Sequence, residues 1–305
     1  MKQMNGMKRV KFIEVGPRDG FQNVKEYIPT EEKLKIIDLL VGTGIKTMEI
    51  GSFVHPKAIP QMKDVKEVVV KTLEKYGESD IEFFALVPNL FGAKAAADCG
   101  LKKIDTVVSV SESHNKANIN RTVEESLNGL AEIREAFPEM KIILSLATSF
   151  TCPFEGITPV ENVLKIIQRG VDEGIHEFCL ADTVGQADPL MVRKTVKAVK
   201  EAFPNEYFEL HIHDTRGMGL ATTLAGIEAG IPHVQAAVGG LGGCPFAPGA
   251  SGNVASEDLI FMLDAMGYET GVDFEKLLAA AKYERQIIDG NYSGHQVNIG
   301  GPCEN

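Results

Sequence analysis

Short apolar runs alternate with longer helical patterns along most of the chain, and this alternation restricts its fold more than any other feature. The short runs are rich in Val, Ile, Leu and Phe, as buried strands are. The longer stretches have apolar residues at helical spacing, and Thr30 and Thr122 stand where N-caps are expected. Strict strand–helix alternation predicts an α/β fold with a parallel sheet. The predicted strands are 10–15, 46–50, 81–87, 104–110, 141–147, 176–180, 208–212 and 234–238.

The eight strand–helix units favour a closed (β/α)8 barrel, or TIM barrel, over an open doubly wound sheet. The open sheet is the alternative, but it usually carries a Gly-x-Gly-x-x-Gly turn after its first strand, and residues 16–22 have none. Further helical patterns follow at 258–266 and 274–287. We therefore predict one catalytic domain over residues 1–305, with the barrel at about 8–254 and additional C-terminal helices at about 255–305.

Composition and charge exclude several classes of function. The 305 residues carry a formal net charge of −11 with no block of like charge, so we expect no nucleic-acid partner. No apolar run approaches the length of a membrane span, and the first residues have no signal-peptide pattern. The five cysteines are scattered and lack C-x-x-C spacing, which predicts no disulfide framework and a cytoplasmic location.

A candidate metal site lies at the predicted C-terminal ends of the strands, where TIM barrels carry their active sites. His211 and His213 stand at i and i+2 on the seventh strand and therefore point to one face. They are either metal ligands or two hydrogen-bonded core histidines. Asp19 could add a carboxylate, or only cap its turn, and Asn253 could add a carbonyl oxygen. Mixed N and O ligands suit Mg²⁺ or Mn²⁺, and Zn²⁺ is compatible too.

Other polar residues follow neighbouring strands. Arg18 is either a brace for its loop or a fixed cation beside a developing enolate oxygen. Glu49 either holds Arg18 or shares in proton transfer, and Asp182 follows the sixth strand. Cys244 lies in a glycine-rich loop that can move as a lid, where a thiol can act as a general acid or base.

The remaining histidines and the cysteines Cys99, Cys152 and Cys179 lack the spacing of metal ligands. Cys99 and Cys179 fit helix and strand patterns and are expected to be small apolar fillers, while Cys152 is loop-borne and its role stays open. The histidines without ligand spacing are expected to lie at the surface or to form ordinary hydrogen bonds; they are His55, His114, His176, His233 and His295.

Several of these segments together resemble 3-hydroxy-3-methylglutaryl-CoA lyase. They are VGPRDG at 15–20, SFV at 52–54, PK at 56–57, HIHDT at 211–215 and GLGGCP at 240–245. The likeness runs from about residue 8 to about residue 290. The R-D-G and H-x-H elements are shared with a wider metallolyase superfamily of TIM barrels, whereas the cysteine loop through Asn253 is more specific to the lyases.

The resemblance implies a divalent-metal-dependent lyase that cleaves 3-hydroxy-3-methylglutaryl-CoA to acetyl-CoA and acetoacetate. It implies Mg²⁺ or Mn²⁺ as the cofactor, no organic cofactor beyond the CoA of the substrate, and a homodimer. The implied metal ligands are Asp19, His211, His213 and Asn253. The implied catalytic residues are Arg18 for the enolate, Cys244 for proton transfer, Glu49 and Asp182 for the polar groups around the metal, and His211 or a group near it as the base. Gln22 and Lys25 would lie near the substrate, with Lys25 towards a CoA phosphate.

The chain departs from the family pattern beside the predicted metal site. Familiar lyases read His-Asp-Thr-Tyr-Gly-Gln-Ala where residues 213–219 read HDTRGMG. Arg216 leaves the ligands intact but opens the question of the acyl chain, so a lyase for a related branched 3-hydroxyacyl-CoA is one alternative. A Claisen-type synthase on the same barrel is another, and a sensor that binds acyl-CoA or metal is the non-enzyme alternative. Cys303 stands near the position of a redox-sensitive cysteine of eukaryotic lyases.

Overall fold

The computed structural model describes residues 8–243 and 252–299. Within these ranges eight parallel strands pair in chain order and close into a barrel, which confirms the predicted TIM barrel and excludes the open sheet. Every predicted strand agrees with an observed one to within two residues at each end. The barrel strands are β1 Lys11–Glu14, β2 Thr47–Ser52, β3 Glu82–Leu86, β4 Lys103–Ser109, β5 Lys141–Ala147, β6 Glu177–Asp182, β7 Tyr207–Ile212 and β8 His233–Ala236.

Helices connect the strands and cover the outside of the barrel. They are α1 Thr30–Val41, α2 Val65–Tyr76, α3 Leu90–Asp98, α4 Glu112–Ile119, α5 Val123–Ala136, α6 Val160–Asp172, α7 Pro189–Ala202 and α8 Gly219–Ala229. After β8 come α9 Ser256–Ala265 and α10 Phe274–Ile287, as the periodicity predicts. None of the described helices is long and apolar enough to cross a membrane.

Side-chain caps mark the start of several helices, and α5 shows how. The predicted cap at Thr30 is wrong, because Pro29 occupies the N-cap position of α1 and Thr30 is the first residue of the helix. Thr122 accepts a hydrogen bond from the backbone N–H of Glu125 at 3.1 Å, and the Glu125 carboxylate accepts one from the N–H of Thr122 at 2.8 Å. This reciprocal capping box satisfies two backbone donors that the helix itself cannot pair. Leu127, Leu130 and Ile133 then bury one face of the helix. The boundary therefore follows from four consecutive residues.

Several short elements were not predicted; besides α4 and an antiparallel pair, they include a parallel pair between Lys8–Arg9 and Tyr268–Glu269. α4 has few apolar residues, so no hydrophobic stripe marks it in the sequence, but the Ser111 hydroxyl caps its start by accepting from the N–H of His114. A short antiparallel pair also forms between Thr151–Cys152 and Gly156–Ile157. Both follow strands β4 and β5 at the C-terminal end of the barrel, and both are too short for periodicity to detect.

A charged network closes the N-terminal end of the barrel. The Lys103 ammonium, only 2% exposed, lies 2.8 Å from the Glu82 carboxylate and 2.7 Å from that of Glu177. These residues begin β4, β3 and β6. Above them an apolar layer fills the barrel interior: Ile13, Val15, Phe84, Ile143 and Cys179. The buried Cys179 is thus the filler that its strand pattern predicts.

Buried carboxyl groups join the barrel to its C-terminal helices. Glu14 at the end of β1 accepts hydrogen bonds from the N–H of Gly16 at 2.7 Å, the N–H of Val238 at 2.9 Å and the Ser256 hydroxyl at 2.7 Å. It therefore links β1, the segment after β8 and the first residue of α9. These contacts hold the barrel and the C-terminal helices together. The predicted division of the chain near residue 254 stays a prediction.

Two further glutamates lie in the same junction, and one of them has no polar partner. Glu257 accepts from the N–H of Gly239 at 2.9 Å. Glu284 on α10 is fully buried, and neither of its carboxyl oxygens has a hydrogen-bond partner among the described residues. Burial raises the pKa of Glu14 to about 7, that of Glu257 to about 8 and that of Glu284 well above its usual range. Burial without a hydrogen-bond partner among the described residues therefore favours the protonated form of Glu284 in the folded state.

We predict that Glu284→Met stabilises the protein, and more so at pH 8 than at pH 5. The unfolded chain releases the Glu284 proton above pH ~4.5 while the folded state retains it, so the free energy of unfolding falls as pH rises through this window. An unpartnered buried polar group costs about 1–3 kcal/mol, which sets the expected gain at pH 8. Urea unfolding at both pH values measures it, with the exposed Glu275→Met on the same helix as the control. Equal stability of Glu284→Met and the parent at pH 8 would contradict the assignment.

Candidate metal centre and active site

A single π-helical turn, Gly16–Gly20, carries the first two site residues out of β1. The N–H groups of Arg18 and Asp19 both donate to the carbonyl of Val15, at 3.1 and 2.7 Å. A Cβ at Gly16 would stand 2.7 Å from the Glu14 carboxylate and 2.9 Å from the Val238 side chain, so only glycine fits. The turn holds the side chains of Arg18 and Asp19 buried at the C-terminal end of the barrel.

Asp19, His211 and His213 form one compact group, with a possible ligand atom from each within 4.8 Å of the others. The two Nε2 atoms are 3.0 Å apart, and the Asp19 Oδ2 lies 3.9 Å from that of His211 and 4.0 Å from that of His213. Ligand–metal distances of about 2.1 Å in an octahedral site imply neighbouring ligand atoms about 3 Å apart. The three side chains therefore surround one position for an ion, as the i, i+2 spacing predicts.

Asn253 offers a fourth ligand atom. Its amide nitrogen donates to the Asp19 Oδ2 at 2.8 Å and to the carbonyl of Leu241 at 3.0 Å. Its Oδ1 is buried and has no hydrogen-bond partner among the described residues. An antiparallel bridge to His213 places it beside the group. A buried acceptor without a donor is costly unless a cation satisfies it, so the residues present fit a hard divalent ion.

The protonation states also suit metal ligands, which must be deprotonated. Burial lowers the pKa of both histidines, to about 4 for His213. Burial acts to raise the pKa of Asp19, but Arg18 and the two histidines outweigh it and hold that pKa at about 2. At neutral pH the site therefore presents two neutral imidazoles and a carboxylate.

Arg18 is fixed between two carboxylates. Its Nη1 donates to the Asp19 Oδ1 at 2.5 Å and its Nε to the Glu49 Oε2 at 2.7 Å. Burial acts to lower the pKa of Arg18, but Glu49, Asp19 and Asp105 together raise it above its usual range. Burial raises the pKa of Glu49 to about 8 even though the Arg18 charge acts to lower it. The Nη2 of Arg18 makes no hydrogen bond among the described residues, so a charged donor is free for a ligand.

The other predicted site residues fall into four groups. Gln22 joins the cluster by donating to the Asp19 Oδ1 at 2.8 Å. Asp182 ends β6 beside β7 and accepts from the N–H groups of Gln186 and Ala187 at 3.2 and 3.1 Å, so it braces that loop, and burial raises its pKa. Lys25 is exposed and is not drawn into the cluster. Cys244 and Cys303 lie outside the described residues, and their roles stay predictions.

The histidines without ligand spacing form ordinary contacts, as expected. His114 pairs with the Ser109 hydroxyl at 2.6 Å, His176 with Glu206 at 2.9 Å and His295 with Asp258 at 2.9 Å. His233 lies 2.8 Å from the carbonyl of Phe208, and the exposed His55 accepts from the N–H of Lys57 at 3.2 Å. Cys99, Cys152 and Cys179 are free thiols, and Cys152 donates to the Ser111 hydroxyl.

Sequence reasoning missed two buried residues inside the barrel: Gln235, which contacts His211, and Glu209, which contacts Gln235. Gln235 on β8 lies with its Oε1 2.9 Å from the Nδ1 of His211. Its Nε2 donates to the Glu209 carboxylate at 2.8 Å. A signal existed, because each is a polar residue inside an otherwise apolar strand, and Glu209 stands two residues before His211 on the same face.

Comparison with known proteins identifies the family of the chain. The family model described as HMGL-like matches residues 9–283. The chain is 41% identical over 278 residues to the hydroxymethylglutaryl-CoA lyase YngG of Bacillus subtilis, covering 90% of this chain and 92% of the relative. The chain belongs to the hydroxymethylglutaryl-CoA lyase family. It is also 39% identical over 284 residues to the human mitochondrial enzyme of that name, with 92% of this chain and 86% of the relative covered.

Solved structures named as HMG-CoA lyases share this fold. A structure from Bacillus subtilis has a TM-score of 0.89 at 39% identity, covering 95% of this chain and 97% of that one. A structure from Acinetobacter baumannii, described as a complex with coenzyme A and 3-methylmalate, has a TM-score of 0.91 at 36% identity and covers 100% of this chain and 99% of that one.

Arg216, where this chain departs from the lyase pattern, lies next to the site on the loop after β7. Its Nη1 donates to the carbonyls of Val184 and Gly185 at 2.9 and 3.2 Å. These carbonyls belong to the loop after β6, which Asp182 also braces. In this structure Arg216 therefore ties two neighbouring loops together at the open end of the barrel.

We predict that Asp19→Ala abolishes tight binding of a divalent cation. Changes to residues that only support metal ligands cost about 10–100-fold in affinity, so loss of an anionic ligand should exceed about 100-fold. Calorimetric titration of the metal-free protein with Mn²⁺ measures the effect, and the His211→Ala/His213→Ala double variant should behave alike. The control is His176→Ala/His233→Ala, which removes two histidines at the opposite end of the barrel. If Asp19→Ala and His211→Ala/His213→Ala bind Mn²⁺ with the affinity of the parent, the ion does not bind at this site.

Proposed function

We propose that this chain is a divalent-metal-dependent carbon–carbon lyase that cleaves 3-hydroxy-3-methylglutaryl-CoA to acetyl-CoA and acetoacetate. The observation that carries the proposal is the buried donor set beside a fixed arginine, in a chain of the lyase family. The relatives named as hydroxymethylglutaryl-CoA lyases support the reaction. The complex with coenzyme A and 3-methylmalate in the Acinetobacter relative supports an acyl-CoA substrate.

Asp19, His211, His213 and Asn253 would hold the cation, for which we propose Mg²⁺ or Mn²⁺. When bound, the cation would supply Lewis acidity that makes the 3-hydroxyl group of the substrate more acidic. The carboxylate and amide oxygens of Asp19 and Asn253 favour these hard ions, and the two imidazoles also tolerate Mn²⁺. No other organic cofactor is proposed.

Cleavage needs a base, an electron acceptor and an acid. A basic group near His211, as the resemblance implies, would take the 3-hydroxyl proton. The resulting alkoxide collapses to a ketone as the C2–C3 bond breaks, and the electron pair of that bond moves onto the thioester as an enolate. The guanidinium of Arg18, held by Glu49 and Asp19, would stabilise the enolate oxygen. Protonation of the enolate carbon then gives acetyl-CoA, and we propose Cys244 for this step on the strength of the family resemblance.

The contacts of His211 limit what it can do in this reaction. Its Nδ1 faces Gln235, and its Nε2 faces the ligand group. A nitrogen that holds a cation has no lone pair left to accept a proton. The two roles that the resemblance allows for His211, ligand and base, therefore exclude each other, and we propose the role of ligand.

The proposal also covers the acyl chain of the substrate, the contact of Lys25 with CoA and the homodimer. Arg216 next to the site favours testing other branched substrates, such as the CoA ester of the 3-methylmalate found in the Acinetobacter relative. The exposed Lys25 follows the loop of Asp19 and is proposed to contact a phosphate of CoA. The homodimer is likewise a proposal that the resemblance supports.

The reaction is tested by incubating the purified, Mg²⁺-loaded protein with 3-hydroxy-3-methylglutaryl-CoA. We expect equal amounts of acetyl-CoA and acetoacetate, with no product after chelation of the metal or in Asp19→Ala. Cleavage of 3-methylmalyl-CoA alone would keep the lyase chemistry and change the substrate. Condensation of acetyl-CoA with a 2-oxo acid, without any cleavage, would show a synthase instead.

We predict that Arg18→Gln lowers kcat by about 10²–10³-fold or more, because a fixed donor to a developing oxyanion is worth about that factor. The KM should change little if Arg18 acts mainly in the transition state. Steady-state kinetics measure both, with Mn²⁺ affinity checked in parallel because Arg18 contacts Asp19. The control is Arg193→Gln, which breaks an exposed ion pair with Glu228 on α8. A normal kcat with a raised KM would make Arg18 a substrate anchor.

A further inference from the structure

His211 has a defined partner on the side away from the ligand group. β7 and β8 are parallel neighbours, and His211 stands directly opposite Gln235 in their register. The Nδ1 of His211 lies 2.9 Å from the Oε1 of Gln235, and both side chains are buried. A neutral imidazole has one nitrogen that donates and one that accepts, so this contact decides what the other nitrogen can do.

The contact with Gln235 alone does not fix the tautomer of His211, because a glutamine can present either its oxygen or its NH₂ group to the imidazole. Glu209 removes the ambiguity. Its Oε2 accepts a hydrogen bond from the Nε2 of Gln235 at 2.8 Å, which turns the amide nitrogen towards Glu209. The amide oxygen of Gln235 therefore faces His211.

Glu209 is itself held in place. Its other oxygen accepts from the Tyr207 hydroxyl at 3.0 Å, and the residue is fully buried. Burial raises the pKa of Glu209, and the positive charge of Lys103 at the N-terminal end of the barrel acts to lower it. A chain of hydrogen bonds thus runs from Tyr207 through Glu209 and Gln235 to His211.

We propose that Glu209 and Gln235 are positioning residues that keep the proton of His211 on Nδ1, so that the lone pair of Nε2 faces the metal position. The opposite tautomer would place a hydrogen atom where the cation must bind. The inference rests on the metal site of the proposed function.

The first test reads the tautomer in the metal-free protein by long-range ¹H–¹⁵N correlation NMR of ¹⁵N-histidine-labelled samples. The signals of His211 are assigned by their loss in His211→Gln. We expect the Nδ1–H form in the parent. Gln235→Leu removes the acceptor and should move His211 to the Nε2–H form, which no longer buries an unpaired Nδ1–H. Glu209→Gln allows the Gln235 amide to turn over and should give a mixture of the two forms.

The second test measures Mn²⁺ affinity of the same proteins by calorimetry. Supporting residues of metal-bound histidines typically contribute 10–100-fold, so we expect a loss in this range for Gln235→Leu and a smaller one for Glu209→Gln. The matched control is Gln61→Leu, which removes another glutamine at this end of the barrel, one that donates to the carbonyl of Val24. Its affinity and its His211 tautomer should match the parent.

The outcomes separate the inference from the proposed function. An Nε2–H tautomer in the parent, or a parent-like tautomer and affinity in Gln235→Leu, overturns the positioning role even if the lyase reaction is found. Absence of Mn²⁺ binding to a parent that shows the Nδ1–H form would remove the metal site and leave the hydrogen-bond assignment standing. Should Gln235→Leu fail to fold, Glu209→Gln decides, because it retains the size and the acceptor of the native side chain.

Discussion

The closure of the barrel between β8 and β1 is the constraint on which the site depends. These strands are the last and the first of the sheet, and their four paired positions run from His233 opposite Lys11 to Ala236 opposite Glu14. Asp19 follows β1 and His211 lies on β7, so in an open sheet they would belong to opposite edges. With the sheet closed, only β8 separates their strands. The register of one short strand therefore brings the carboxylate to the imidazoles.

Electrostatic balance explains how such a site tolerates burial. Burying an unpaired charge is expensive, but Arg18 stands between two carboxylates and each hydrogen bond in the group is charge-assisted. The fixed positive charge of Arg18 balances the Asp19 carboxylate, whose pKa is held at about 2, whereas burial raises the pKa of Glu49 to about 8. The formal charge of −11 on the whole chain does not oppose an anionic acyl-CoA at this point, since a buried guanidinium acts locally and is little screened.

Much of the fold and part of the site could be predicted from the sequence, for reasons that particular residues show. An apolar run and the i, i+2 rule are enough to predict that His211 and His213, at the end of β7, point to one face. The position of Asn253 depends on a bridge to His213 across forty residues, and no local pattern encodes it. Glu284 occupies a polar position in an amphipathic-looking helix, and only tertiary packing shows that it is buried. Periodicity reports the faces of elements, not the contacts between them.

In TIM barrels the C-terminal end carries the active site and the N-terminal end is associated with stability. In this barrel polar contacts connect the two ends. Lys103 pairs with Glu82 and Glu177 at the N-terminal end, and its charge also acts on Glu209. Glu209 in turn orients Gln235, whose oxygen meets His211. An unpaired polar group in a barrel interior is costly, so the partners of Glu209 and Gln235 hold each of them in one orientation. The same requirement that fills the interior with paired groups therefore transmits orientation from the N-terminal end to a histidine at the opposite end.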